Sequence, residues 1–299
     1  MITFSKLGVK GNLGNQLFQI ASTIGIAEKY GHEFFFPQWN YSKYFKYKLP
    51  VFYKDESFKS IKEKEYNHYD WDLGNDNYDV DGWIQSEKYF DVEKTRQIFE
   101  FEEFSRDLYL KHDSLFSKKT ILISVRRGDF VNHPYYFQLS YLFYFKALIE
   151  NFPDWEHRNL LFTSDDIEYC KYHFSFLKNS LFLDNLTPIE QLALGVKCND
   201  FIISNSTFSW WIAWLGEKKE SKIIRPIKIF RGEFASQNDD SDYFPERWIR
   251  FDDSNFSVKK KYFGLYIKGF AYELLVNTKF LFHKNIKRIK KIVKRLFRL

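Results

Sequence analysis

Between residues 121 and 224 the chain alternates short apolar runs with longer amphipathic ones. The runs at 121–125, 159–163, 180–182, 201–203 and 222–224 are short and mostly apolar, the pattern of buried strands. The stretches between them predict helices over 142–151, 167–174 and 188–196, and a fourth over the tryptophan-rich segment that Gly216 closes. Strands alternating with helices imply a parallel sheet covered on both faces. Nearer the N-terminus, 17–27 reads as a helix. From 37 to 104 aromatic and charged residues alternate irregularly, with turns at Gly74-Asn75-Asp76 and Asp81-Gly82. The strand–helix rhythm begins after Lys118-Lys119-Thr120, so we place a domain boundary near residue 117.

Three segments carry candidate chemistry. In the first, Arg126 and Arg127 follow the strand at 121–125 and precede Gly128-Asp129. Ligands of open α/β sheets bind beyond the carboxyl ends of the strands, and paired guanidiniums suit phosphate oxygens. A structural pair held by Asp129 is the competing reading. In the second, the strand at 201–203 runs through Ser204, Asn205, Ser206 and Thr207 into a helix. Those residues are N-cap candidates, and a helix N-terminus offers free N–H groups and a positive dipole end to an anion. Trp210, Trp211 and Trp214 on that helix read mostly as core. In the third, Gly11 and Gly14 allow a tight turn, while Asn15 and Gln16 offer amides that donate and accept. The third segment is neither a Walker A loop nor a dinucleotide fingerprint.

Together the three segments resemble the α1,2-fucosyltransferases of glycosyltransferase family 11. The family's G-x-x-G-N-Q-x-F-Q-x-A stretch is matched from Gly11 to Ala21. Its H-x-R-R-G-D-Y stretch corresponds to Ser124-Val125-Arg126-Arg127-Gly128-Asp129-Phe130, and its N-S-(S/T)-F-S-W-W-x-A-W-L stretch to Asn205 through Leu215. The resemblance covers roughly residues 1 to 250, in family order. Ser124 stands in place of the family's histidine, Phe130 in place of tyrosine, and Ile212 where a smaller residue is usual. The loss of histidine bears on substrate fit rather than on phosphate binding.

The resemblance implies a GT-B-like α/β fold of two Rossmann-type domains facing across a cleft. Residues 1–117 would form the acceptor-side domain and 118–257 the nucleotide-binding domain. It also implies inverting transfer of L-fucose from GDP-β-L-fucose to the 2-hydroxyl of a galactoside in a surface glycan. The catalytic candidates are Arg126, Arg127, Asp129 and Asn15. Substrate-binding candidates are Gly14, Gln16 and Ser124, with Asn205, Ser206, Thr207 and Ser209. None of the three segments carries a D-x-D stretch, so the arginines are expected to stabilise the departing phosphate without metal or cofactor. No residue is singled out as the general base. The alternatives are another nucleotide-sugar glycosyltransferase on the same scaffold and an inactive membrane-associated relative.

Charge adds one further expectation. The net charge is +6, but nine Lys or Arg and no acid fall within 279–299, so the remaining chain carries −3. Phe282, Ile286, Ile289, Val293 and Leu296 recur there at helical spacing. Residues 258–299 therefore read as a basic amphipathic tail suited to an anionic membrane surface, each basic residue contributing about 1 kcal/mol. A helix docked on the body, or a solvated charged face, is the competing reading. The body has no basic patch with interleaved aromatics, which argues against nucleic acid. The chain opens with Met1-Ile2-Thr3-Phe4 rather than a signal sequence, and no stretch of about eighteen apolar residues occurs. With only Cys170 and Cys198 there is no disulfide framework, so a cytoplasmic, peripheral location is expected.

Overall fold

A computed structural model describes residues 1–51, 57–255 and 260–271, and the single positions 274, 275, 278 and 286. The first half contains β1 (Ile2–Thr3), α1 (Leu13–Lys29), β2 (Phe34–Phe35), β3 (Lys59–Lys62) and β4 (Tyr78–Asp81). Its strands form a parallel sheet in the order β2-β1-β4-β3. Two helices follow, α2 (Val92–Ile98) and α3 (Phe104–Lys111). The second half runs β5 (Thr120–Val125), α4 (Tyr141–Asn151), β6 (Asn159–Ser164), α5 (Ile167–Phe174) and β7 (Ser180–Phe182). It continues through α6 (Pro188–Gly195), β8 (Asp200–Ile203), α7 (Thr207–Gly216), β9 (Ile223–Arg225), α8 (Gly232–Gln237) and β10 (Ile249–Arg250). These strands also pair in parallel, in the order β10-β9-β8-β5-β6-β7.

β5 and β8 are buried at every position, as expected for central strands covered on both faces. One apolar core fills the four-stranded half and one face of the larger sheet. A second lies on the other face, under α4 and α5. The tryptophans of α7 join the halves. Trp211 lies 5.0 Å from Phe18 of α1, 5.8 Å from Phe90 and 5.2 Å from Phe99. Trp210 stacks on Trp214, and all three tryptophans are fully buried. Each such ring contact adds about 0.5–1.5 kcal/mol beyond the area it buries.

A polar latch closes the same seam. Arg247 donates two bonds to Glu87 of the first half and two to Glu217 of the second. Trp214 Nε1 also donates to Glu87, at 2.8 Å. The two planar forks hold the halves in register as well as in contact.

After β10, Tyr262 is buried in the second core and residues 263–271 are helical. A Cβ on Gly269 would sit 2.6 Å from the Tyr141 ring, so this part of the C-terminal segment packs on the body. The basic amphipathic stretch expected over 279–299 lies outside the described residues, position 286 apart. No helix among the described residues is long and apolar enough to cross a membrane.

Candidate active-site cleft

The carboxyl ends of both sheets open onto one cavity of about 660 Å³. Its floor is made by two helix starts pressed together. α1 begins at Leu13, four residues before the expected start, with Asn12 at its N-cap. Gly14 therefore lies in the first helical turn rather than in the preceding loop. A Cβ at Gly14 would stand 2.4 Å from the Phe208 backbone nitrogen and 2.6 Å from the Thr207 carbonyl carbon. Only glycine lets the two helix N-termini approach so closely, and the first N–H groups of any helix have no partner within it. The tight turn itself rests on Gly11, which has φ +76°.

The polar residues around this floor divide into holders and liners. Gln16 donates to the Gly11 carbonyl at 2.9 Å and accepts from Trp39 Nε1 at 2.8 Å, so its amide is used in fixing the turn. Asn205 donates to the Phe137 and Ile229 carbonyls at 3.0 and 2.9 Å, tying two loops to the start of α7. Ser206 is the N-cap and accepts from the Ser209 N–H at 3.2 Å. Ser209 Oγ lies 2.7 Å from both Ser124 and Ser204 Oγ, and 2.9 Å from Ser206 Oγ. Ser124 is thus buried in a hydroxyl cluster that braces β5 against the cap of α7. Asn15 accepts from Gln85 at 2.9 Å, and Gln85 in turn accepts from Tyr66 at 2.7 Å. Burial pushes the Tyr66 hydroxyl well above its ordinary pKa, so it remains a donor.

The two arginines part company. Arg126 lines the cavity. It pairs with Asp129 at 2.5 Å and with Asp165 at 3.2 Å, and its buried Nε has no partner among the described residues. Asp165 also accepts from the Arg127 N–H at 2.9 Å and reaches that position because Gly128 has no Cβ to block it. Arg127 does not line the cavity, contrary to the expectation of a paired clamp. Its guanidinium lies 4.0 Å from the centroid of the Tyr169 ring, in the second core. Successive side chains of extended backbone point to opposite faces, and Arg127 keeps an extended φ of −125° just after β5 ends at Val125. Beneath it, burial and then the Arg127 charge lower the His173 pKa to about 4, so that imidazole is neutral near pH 7.

Cavity residues that the sequence reading did not single out come from both halves. Glu63 follows β3, and its carboxylate accepts from the N–H groups of Trp83 at 2.6 Å and Ile84 at 2.8 Å. Burial raises its pKa, partly offset by those two N–H bonds. Tyr66, Gln85, Thr163, Asp165 and Tyr136 complete the walls. The turn at Asp81-Gly82 was the one visible sign of this corner. No group of three His, Cys, Asp or Glu side chains among the described residues is arranged to hold a metal ion.

Comparison with known proteins adds the following. The model of glycosyl transferase family 11 matches residues 4–252. An alpha-1,2-colitosyltransferase of Escherichia coli is 30% identical over 181 residues, covering 57% of this chain and 61% of that protein. The Escherichia coli O-antigen biosynthesis glycosyltransferase WbnK is 28% identical over 126 residues, covering 40% and 41%. The matches thus span less than two thirds of either relative's own length. Among solved structures, a mutant of FUT1 from Arabidopsis thaliana in complex with GDP aligns with a TM-score of 0.50 at 12% identity, covering 86% of this chain and 77% of that one. Fucosyltransferase NodZ from Bradyrhizobium gives 0.49 at 13%, covering 71% and 91%. At such identity the FUT1 likeness is one of fold, and that fold is GT-B-like: two parallel α/β units facing across a cleft.

Proposed function

The chain belongs to glycosyltransferase family 11, and we propose that it transfers L-fucose from GDP-β-L-fucose to the 2-hydroxyl of a galactoside, inverting the anomeric centre without a metal ion. The observation that carries this reading is one juxtaposition. Arg126 lines the same cavity as the paired N-termini of α1 and α7. Inverting displacement needs no enzyme nucleophile. It needs stabilisation of the negative charge that grows on the departing β-phosphate, and a fixed guanidinium beside two helix N-termini supplies it. Asp129 and Asp165 hold Arg126 in position, while Asn15 stands on the α1 side of the cavity. Arg127 acts from behind, by fixing the loop that carries Arg126.

A second reading concerns the sugar. One relative is named a colitosyltransferase, and colitose is L-fucose without its 3-hydroxyl, so a colitosyl group would meet the same diphosphate site. Either product fits a surface polysaccharide. Attachment to an anionic membrane surface belongs to the proposal too. Phe263, Ile267, Phe270 and Leu274 are exposed at helical spacing, which extends towards the body the apolar stripe expected over 279–299.

The test is incubation with GDP-fucose or GDP-colitose and a panel of galactosides, with and without excess EDTA, read by product mass and linkage. An α1,2-linked product of one donor, formed equally in EDTA, is expected. No product from either donor, or activity lost in EDTA and restored by Mg²⁺ or Mn²⁺, contradicts the proposal. Vesicle sedimentation of the full chain and of a truncation after residue 272 tests the membrane step.

A further inference from the structure

We propose that Glu63 is the base that accepts the proton of the acceptor hydroxyl, an inference that rests on the glycosyl-transfer reading above. The acceptor oxygen bonds to the anomeric carbon as the bond from that carbon to the β-phosphate oxygen breaks. The electron pair of the broken bond leaves with GDP. The hydroxyl proton passes to a Glu63 oxygen and from there to solvent.

Among the described residues four carboxylates line the cavity: Glu63, Glu65, Asp129 and Asp165. Asp129 and Asp165 are ion-paired with Arg126, on the wall assigned to the leaving diphosphate. In an inverting displacement the base stands on the opposite side of the sugar from the leaving group, which points to the other half of the cleft. Glu65 is exposed and Glu63 is half-buried.

The surroundings of Glu63 are built to aim it. One backbone N–H reaches each oxygen, Trp83 to Oε2 and Ile84 to Oε1, so each oxygen keeps a lone pair for an incoming hydroxyl. The peptide can lie against the side chain because residue 82 is glycine. A Cβ there would be 2.6 Å from the Glu63 Cβ and 2.9 Å from Oε2. Ile84 has φ +44°, the left-handed region, which is a costly conformation for a β-branched residue. Backbone strain of this kind persists where the surroundings enforce it and gathers at functional positions. Here it turns the Ile84 N–H onto the carboxylate.

The groups facing Glu63 are Lys10, Asp81, Tyr66, Tyr69 and Tyr89. Lys10 is itself paired with Asp81 at 2.8 Å, which offsets its pull on Glu63. Burial then dominates, and the Glu63 pKa is raised, towards the range useful to a base.

The test uses full-length protein with GDP-fucose and the best galactoside acceptor. GDP affinity is measured by calorimetry and kcat/KM across pH. Glu63→Gln is expected to bind GDP within about twofold of wild type and to lose transfer by about 10²-fold or more. The wild-type acid limb, with its midpoint above pH 4.5, is expected to vanish in that variant. Added formate is expected to restore part of the transfer in Glu63→Ala. Transfer by Glu63→Gln near the wild-type rate, or with the acid limb intact, overturns the assignment. Should both variants unfold, the wild-type profile decides, since a kcat/KM flat down to pH 4.5 also overturns it. A wild type that binds GDP but transfers no sugar overturns the underlying reading instead.

Discussion

At the carboxyl end of β5 a guanidinium is held between two carboxylates, whereas beyond β3 a carboxylate is held by two peptide N–H groups. Both groups line one cavity, and each is fixed by partners that leave some of its hydrogen-bonding capacity unused. The arginine side is charged and sits beside two helix N-termini, which suits an anionic donor. The glutamate side is bordered by Tyr66, Trp83 and Gln85, which suits a neutral acceptor with hydroxyls. Two similar parallel sheets thus present opposite chemistry, and the difference arises in the loops at their strand ends.

The largest expected effect breaks the charged side. Arg126→Ala removes the guanidinium proposed to face the diphosphate and is expected to lower transfer by about 10²–10³-fold, as for loss of one donor to a developing anion. Arg127→Ala leaves that guanidinium in place and is expected to act mainly on stability. Steady-state kinetics and thermal unfolding of the two variants separate these roles, and equal kinetic losses with equal stability would contradict the division.

Next comes the floor that both sides share. Gly14→Ala drives a methyl into the α7 backbone, where no flexible side chain can yield. A cost of about 1–3 kcal/mol in unfolding free energy is expected, with GDP affinity reduced as the two helix starts part. Urea unfolding and calorimetry check both.

A smaller effect reports on Arg127. The His173 pKa falls from 6.5 to about 4 in the folded protein, first through burial and then through the Arg127 charge. The unfolded chain therefore binds more proton between those values, and stability falls as pH drops from about 6.5 towards 4. In Arg127→Ala the fall is expected to set in at lower stability but to be shallower, and in His173→Phe this component disappears. Urea midpoints measured from pH 4 to 7 test it, and an unchanged slope in His173→Phe would place the acid sensitivity elsewhere.

Legibility differed between the halves for a physical reason. From β5 to β9 the strands are apolar runs separated by helices, so period and length show each element, and predicted bounds agree with the observed ones to within two residues at most ends. In the first half β1 and β2 have two residues each, too few for any period to appear. β3 is largely exposed and reads Lys59-Ser60-Ile61-Lys62, with nothing to mark Glu63 beyond it. The bonds that define Glu63 come from a loop some twenty residues later, a contact that sequence spacing does not reveal. The start of α1 was read late because its first turn, Leu13-Gly14-Asn15-Gln16, is half polar. Of its two amides Gln16 bonds back to the Gly11 carbonyl, as Gln19 one turn later does to that of Lys10, while Asn15 lines the cavity. The arginine pair is legible as a pair, but which of the two faces the cleft depends on which face of β5 the second core covers.

The division of the cleft is tested most directly by the affinity for GDP, measured by calorimetry in wild type, Arg126→Ala and Glu63→Gln. The account predicts that Arg126→Ala weakens GDP binding by more than tenfold, about 1.4 kcal/mol, while Glu63→Gln stays within about twofold of wild type. The reverse order, with GDP bound normally by Arg126→Ala and poorly by Glu63→Gln, would contradict it.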